Sequence, residues 1–169
     1  MRPAFVHLHL HSEYSLVDGA VRLKPLINAV AKAGMPAVAV TDQCNMFAMV
    51  KFYRAAMAAG VKPVIGVELW VRNAEQPSKP WRLVLLCKNR QGYKNLTELV
   101  SRSYLEGQHQ SVPMLDQTWL EGASSGLIAL SGGREGDIGD ALLSGNRELA
   151  EQRLETWLRL FPEHFYLEV

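Results

Sequence analysis

Apolar positions along this chain switch repeatedly between a period of two and a period of three to four residues. "FVHLHLH", residues 5–11, alternates strictly and predicts a strand that sends His7, His9 and His11 from one face. Leu23, Leu26, Ile27, Val30 and Ala31 then recur at helical spacing, with Pro25 early and Gly34 and Pro36 as stops. "PAVAVTD" reads as a short buried strand. Asn45 is placed to cap a helix whose apolar face is Met46, Met49, Val50, Tyr53, Ala56 and Met57, ending at Gly60. The stripe of Met46, Met49 and Met57 reads as core packing. "KPVIGVELWV" predicts a strand over Pro63 to Val71; a polar loop follows from Asn73 to Pro80, and "WRLVLLC" is the next strand. Tyr93, Leu96, Val100 and Tyr104 mark a third helix closed by Gly107, and Gln108 to Gly122 reads as irregular, with a short helix near Leu115 to Leu120. "GLIALS" is a fifth strand, followed by "GGREGD" and a short helical piece. Ala150, Leu154, Trp157, Leu158 and Phe161 give the final helix, and "HFYLEV" a sixth strand.

Repeated strand–helix units predict an α/β fold with a largely parallel sheet, either open or closed into a barrel. The 169 residues suit one domain, and 48% apolar with 21% charged residues is ordinary for a globular protein. Formal net charge is +1 with no block of like charge, so this chain carries no basic footprint of its own for tight DNA binding. Cys44 and Cys87 form neither a CxxC pair nor a disulfide framework, which fits a reducing cytosol. No segment has the pattern of a signal peptide, and none approaches the ~20 apolar residues that span a bilayer. The expectation is a cytoplasmic protein with no membrane partner. Val169 stops on a strand, which predicts a piece of a longer polypeptide.

Ligands in such folds gather at the carboxyl ends of strands. There the reading places His9 and His11, Asp18 in the turn "LVDGA", Asp42 in "VTDQCN" and Glu68 late in its strand, on the face of Val64 and Gly66. Two imidazoles with carboxylates suit zinc, manganese or iron better than magnesium or calcium. Such a site can activate water toward a phosphate ester. The competing reading is a buried polar cluster, with Asp18 a turn residue and Asp42 a helix-proximal cap. His7, deeper in the strand, is assigned a structural or supporting part. Gly132, Gly133 and Arg134 in "SGGREGD" offer a phosphate cradle, although glycine turns before helices are common.

"FVHLHLHSEYSLVDGA", "MPAVAVTDQCNMFAMVKFYRAAMAAGVKPVIGVE", "GYKNLTELVSRSY" and "GLIALSGGREGDIG" together resemble the amino-terminal PHP (polymerase and histidinol phosphatase) domain of bacterial replicative DNA polymerase III alpha subunits. The resemblance spans essentially the whole chain. It implies a distorted (β/α)7 barrel of the TIM-like kind, incomplete here at its C-terminal end, with residues 1–169 the start of a much longer polymerase. Polymerising aspartates, their magnesium and the contact with DNA would lie in that parent chain. The family's ligand pattern falls on His9, His11, Asp18 and Glu68.

Departures follow. Where metal-binding members read TDH this chain has Thr41-Asp42-Gln43, Arg82 stands where a histidine is usual, and Gly133 where a cysteine is often found. Even changes behind the ligands typically cost ~10–100-fold in affinity, so three lost ligands imply a weakly held ion or none. Arg82 is expected to stand in for metal by pairing with Glu68 or Asp18. Members with intact sites are associated with metal-dependent 3′–5′ exonuclease or phosphoesterase activity. Those with eroded sites use the domain for stability and for docking a proofreading exonuclease subunit beside other replicase subunits. The favoured expectation is that scaffold role. An active nuclease or pyrophosphatase is the alternative, and Gln43, Arg82 and Gly133 argue against a free-standing histidinol-phosphatase-like enzyme.

Overall fold

The structure, a computed structural model, describes residues 5–169. Its contacts divide the chain inside one strand, into a unit up to Val67 and a unit from Glu68 onward.

The first unit contains α1 (Leu23–Lys32), β1 (Ala37–Val40), α2 (Met49–Ala58) and the leading half of β2 (Lys62–Val71). β1 and β2 pair in parallel, Ala37 opposite Lys62 through Val40 opposite Ile65. Leu23, Ile27 and Val30 of α1 meet Phe52 and Ala56 of α2 over Val38 and Val40, which makes one apolar core. Pro25 is harmless within the first turn, where amide protons have no helical acceptor. Both helices stop in the same closure. Met35 N–H reaches back to Val30 O at 3.1 Å, and Val61 N–H to Ala56 O at 2.9 Å.

Two expectations change here. Residues 5–11 are extended beside β1 but form no regular strand. Ala39 N–H bonds His7 O at 2.8 Å and Thr41 N–H bonds Leu10 O at 2.9 Å, so three residues on one side face two on the other. One extra residue breaks a two-residue alternation. His7 and His9 are accordingly exposed while His11 is half-buried, and His7 is not the deeper residue expected. In α2 the buried face is Phe52 and Ala56, with Ala48 just before the helix. Val50, Tyr53 and Met57 are at least half exposed, so the methionine stripe is not core throughout. "FYRAAMAA" carries apolar side chains on more than one side, and packing on α1 selects one of them. Asn45 caps the turn before the helix, accepting from Phe47 N–H at 3.1 Å.

The second unit holds the rest of β2 with β3 (Trp81–Cys87), α3 (Arg90–Leu105), β4 (Gln108–His109), β5 (Val112–Leu115), β6 (Leu127–Leu130), α4 (Asp137–Leu143), α5 (Arg147–Leu160) and β7 (Phe165–Tyr166). Strand order is β4-β5-β2-β3-β6-β7, with β1 also paired to β2, a seven-stranded sheet. The sheet is mixed rather than largely parallel. β6 runs parallel to β7 and β5 parallel to β2, but β3 and β6 are antiparallel, Val84 opposite Leu130. The joining segment 72–80 between β2 and β3 holds no helix and is shorter than the dozen residues a parallel crossover needs. β4 and β5 form a hairpin inside the stretch read as irregular. Its turn places Gln110 and Ser111 at φ of 49° and 65°, and Gln-Ser lacks the Asn-Gly or Asp-Gly signature of such turns. Leu83 to Leu86 are buried in succession, as a strand covered on both faces requires.

Asp137, at the start of α4, is buried and accepts from the Trp157 indole N–H at 2.9 Å and from Ile138 N–H at 2.8 Å. Burial raises its carboxyl above the ordinary value, outweighing those bonds and the nearby Arg153 charge. The folded chain therefore keeps a proton that the unfolded chain has released, so this group makes stability fall as pH rises from about 3.8, levelling off above the raised folded value. Asp137→Asn should remove that contribution. Urea midpoints of the two chains between pH 4 and 7 should diverge in one direction; parallel curves would contradict it.

Candidate metal centre

The turn after the extended segment builds the first part of the site. Gly19 N–H bonds Ser15 O at 2.7 Å, and a Cβ at Gly19 would fall 1.7 Å from Ser12 O, so only glycine permits this closure. The turn sets Asp18 Oδ1 2.9 Å from His11 Nδ1, and Ser15 Oγ donates to the same oxygen at 2.8 Å. A carboxylate on Nδ1 orients an imidazole whose other nitrogen serves a metal. Asp18 thus sits where it positions His11. The His9 and His11 rings are 5.4 Å apart at 63°.

Asp42, just past β1, is buried and clamps Ser12. Its Oδ1 accepts from Ser12 N–H at 2.5 Å and its Oδ2 from Ser12 Oγ at 2.8 Å. Burial pushes the Asp42 carboxyl up, against the lowering effect of those two bonds and of His11. The backbone N–H of Gln43 donates to Ser15 Oγ at 3.2 Å. Ser12 and Ser15, both buried, therefore tie the histidine segment to the end of β1, a role the sequence reading missed. Their spacing in "HSEYS" was the available signal. His7 packs edge-on against Phe5 at 4.8 Å, apart from this network.

Glu68 follows Val67 along β2, a single continuous strand, and is fully buried. His9 and His11 belong to the first unit and Glu68 opens the second; these two imidazoles and one carboxylate are the candidate donor group for a metal ion. This nitrogen-and-oxygen donor set suits a divalent metal ion.

Arg82, from β3, works against that. Its Nη1 donates to Glu68 Oε2 at 2.9 Å and to Oε1 at 3.2 Å. Its Nε lies 3.1 Å from Glu135 Oε2, and its guanidinium carbon 4.8 Å from the Trp70 ring centre. Glu68 and Glu135 are carboxylates it meets, and an ion at Glu68 would have to displace the guanidinium or share with it.

The glycine loop contains a carboxylate from its own chain. Gly132 N–H donates to Glu168 Oε2 at 2.8 Å, and Glu168 N–H donates to Ser131 Oγ at 3.0 Å. Arg134 is exposed. Gly133 has a φ of 57°, which costs a residue with a Cβ ~1–2 kcal/mol.

A mixed α/β sheet that carries paired imidazoles and a buried strand acid has the residue types of a metal-site class of fold. Residues 7–169 match the PHP domain family model, and the chain belongs to that family. Two curated relatives illustrate the likeness. The DNA polymerase III subunit alpha of Pseudomonas aeruginosa is 53% identical over 169 residues, which is all of this chain and 14% of that protein. Its counterpart in Escherichia coli K12 is 41% identical over 167 residues, 99% of this chain and 14% of that protein. The chain thus spans about one seventh of the length of these curated relatives. Among solved structures, a candidate metal-dependent phosphoesterase from Bifidobacterium adolescentis superposes with a TM-score of 0.58 at 10% identity, covering 94% of this chain and 84% of that one. That likeness shows the fold.

Proposed function

We propose that this chain is the PHP portion of a bacterial replicative polymerase, serving as a scaffold that docks a proofreading exonuclease subunit, with an eroded metal centre. The observation that carries the reading is the Arg82 guanidinium on both oxygens of Glu68. A fixed cation already neutralises the one acid in the three-donor cluster. Metal then has to compete with a buried ion pair, while Gln43 stands where the family resemblance expects a further imidazole. Identity to polymerase alpha subunits over the whole chain supports the replicative setting. Contact with DNA, magnesium-dependent polymerisation and other replicase partners belong, on this reading, to a longer parent chain. Among the described residues no helix is long and apolar enough to cross a membrane, in keeping with a cytoplasmic place.

Elemental analysis of the purified protein tests the erosion. The wild type should carry well under one equivalent of zinc, manganese or iron. Gln43→His with Arg82→His should raise the content toward one, because donors are added and the competing cation removed. Cysteine at position 133 is left out of this variant because its backbone favours glycine. Stoichiometric metal in the wild type, with phosphodiester hydrolysis lost in His9→Ala, would favour the active-nuclease reading instead. Co-purification with an exonuclease subunit tests the docking role separately.

A further inference from the structure

The second unit contains a cavity of about 610 Å³ lined by Trp70, Trp81, Lys79, Arg134, Glu135 and Asp140 among others. That volume is in the range of sites that enclose small molecules. Two of the chain's four tryptophans line it. Each indole has a guanidinium over its ring: Arg82 at 4.8 Å from Trp70 and Arg153 at 4.5 Å from Trp81. Neither arginine lines the cavity, so each cation–ring contact leaves the opposite face of its indole uncovered by that guanidinium.

The charges are arranged unevenly. Asp140 is held by Lys79 at 2.9 Å with Arg153 4.0 Å away, and Glu135 by Arg82 at 3.1 Å. The Lys79 bond keeps the Asp140 carboxyl below its ordinary range, so it is an acceptor at neutral pH. Its Oδ2 has a long 3.4 Å contact from Trp81 Nε1–H and Arg153 Nη1 4.0 Å away, neither a close hydrogen bond, so it keeps capacity for another donor. Among the described residues Arg134 forms no ion pair, which leaves one lining cation for an anion. Flat apolar walls, a carboxylate acceptor and an uncommitted guanidinium match three parts of one ligand class: a planar heterocycle, its exocyclic amine and a phosphate.

We propose that this cavity binds a nucleoside monophosphate, with the base stacked on Trp70 or Trp81, an exocyclic amine donated to Asp140 and the phosphate met by Arg134. Stacking on an aromatic side chain tolerates any base, whereas the carboxylate favours bases that carry an amine. AMP and CMP should therefore bind more tightly than UMP. No metal enters this contact, so its test is independent of whether His9, His11 and Glu68 hold an ion.

Tryptophan fluorescence of the chain, titrated with AMP, reads the site directly. Saturable quenching is expected, with ribose 5-phosphate and inorganic phosphate weaker by about five-fold or more because they cannot stack. Trp81→Leu should weaken AMP by a similar factor while Trp81→Phe, which keeps a flat face, retains most of the affinity. Arg134→Ala should weaken AMP but not adenosine. The proposal is overturned if AMP gives no saturable change or if ribose 5-phosphate matches it. It also fails if Trp70→Leu and Trp81→Leu chains, folded by circular dichroism, both titrate like the wild type. A proline-rich peptide that saturates the cavity while AMP does not would overturn it as well.

Discussion

Arg82→Ala is expected to lower the unfolding free energy by about 3 kcal/mol, near the lower end of what breaking a buried ion pair costs. Glu68 has 1% of its side chain exposed and Arg82 21%. Removing the guanidinium leaves a carboxylate in the interior with its Nη1 donor gone from both oxygens. The lower end applies because Arg82 is partly reached by water, which can enter the space it leaves. Arg82→Lys should cost less, since charge survives although the fork is lost. The double variant Glu68→Leu with Arg82→Leu should recover much of the loss, because no charge is then left buried at position 68. Chemical denaturation of the three chains measures this. A loss under 1 kcal/mol in Arg82→Ala would show that Glu68 is held by other groups, and the guanidinium could no longer be its substitute cation.

Trp157→Ala should be at least as damaging, by about 3–5 kcal/mol. Trp157 is buried, lies parallel to Phe165 with ring centres 5.8 Å apart, and tilts against Phe161 at 6.3 Å. It therefore joins α5 to β7, and truncation opens a large void between them. The indole N–H is also within 2.9 Å of both oxygens of Asp137, which keeps little else in the way of side-chain donors. Trp157→Phe separates the two effects. It fills most of the volume but drops the donor, so its cost should be about 1–3 kcal/mol, that of leaving a buried acceptor unsatisfied. Thermal or urea unfolding of both variants distinguishes packing from polar loss. Equal costs for Ala and Phe would mean that the hydrogen bond alone accounts for the effect.

The fold was legible wherever one side of an element is apolar and its ends carry stop signals. α1, β1, β2, β3, α3, β6 and α5 follow from patterns such as Leu23, Ile27 and Val30, whose burial matches their spacing. The hairpin of β4 and β5 escaped because its left-handed turn is made by Gln110 and Ser111, residues with no preference for that conformation. Strand direction escaped too. Apolar periodicity is the same for parallel and antiparallel neighbours, so the antiparallel pairing of β3 with β6 was not in the pattern.

Of the site, the residue types were legible and their partners were not. Three histidines in five positions, with acids at 18, 42 and 68, announced the chemistry. The sequence could not show that one extra residue between His7 and Leu10 would break the alternation. It could not show that Asp18 would settle on His11 Nδ1 while Asp42 clamped Ser12. Side-chain chemistry and local periodicity are properties of short stretches, and those the chain determined by itself. That the Arg82 guanidinium meets Glu68 depends on how β2 and β3 lie side by side, and that it meets Glu135 on a loop distant in sequence, so only the tertiary structure decided its partners.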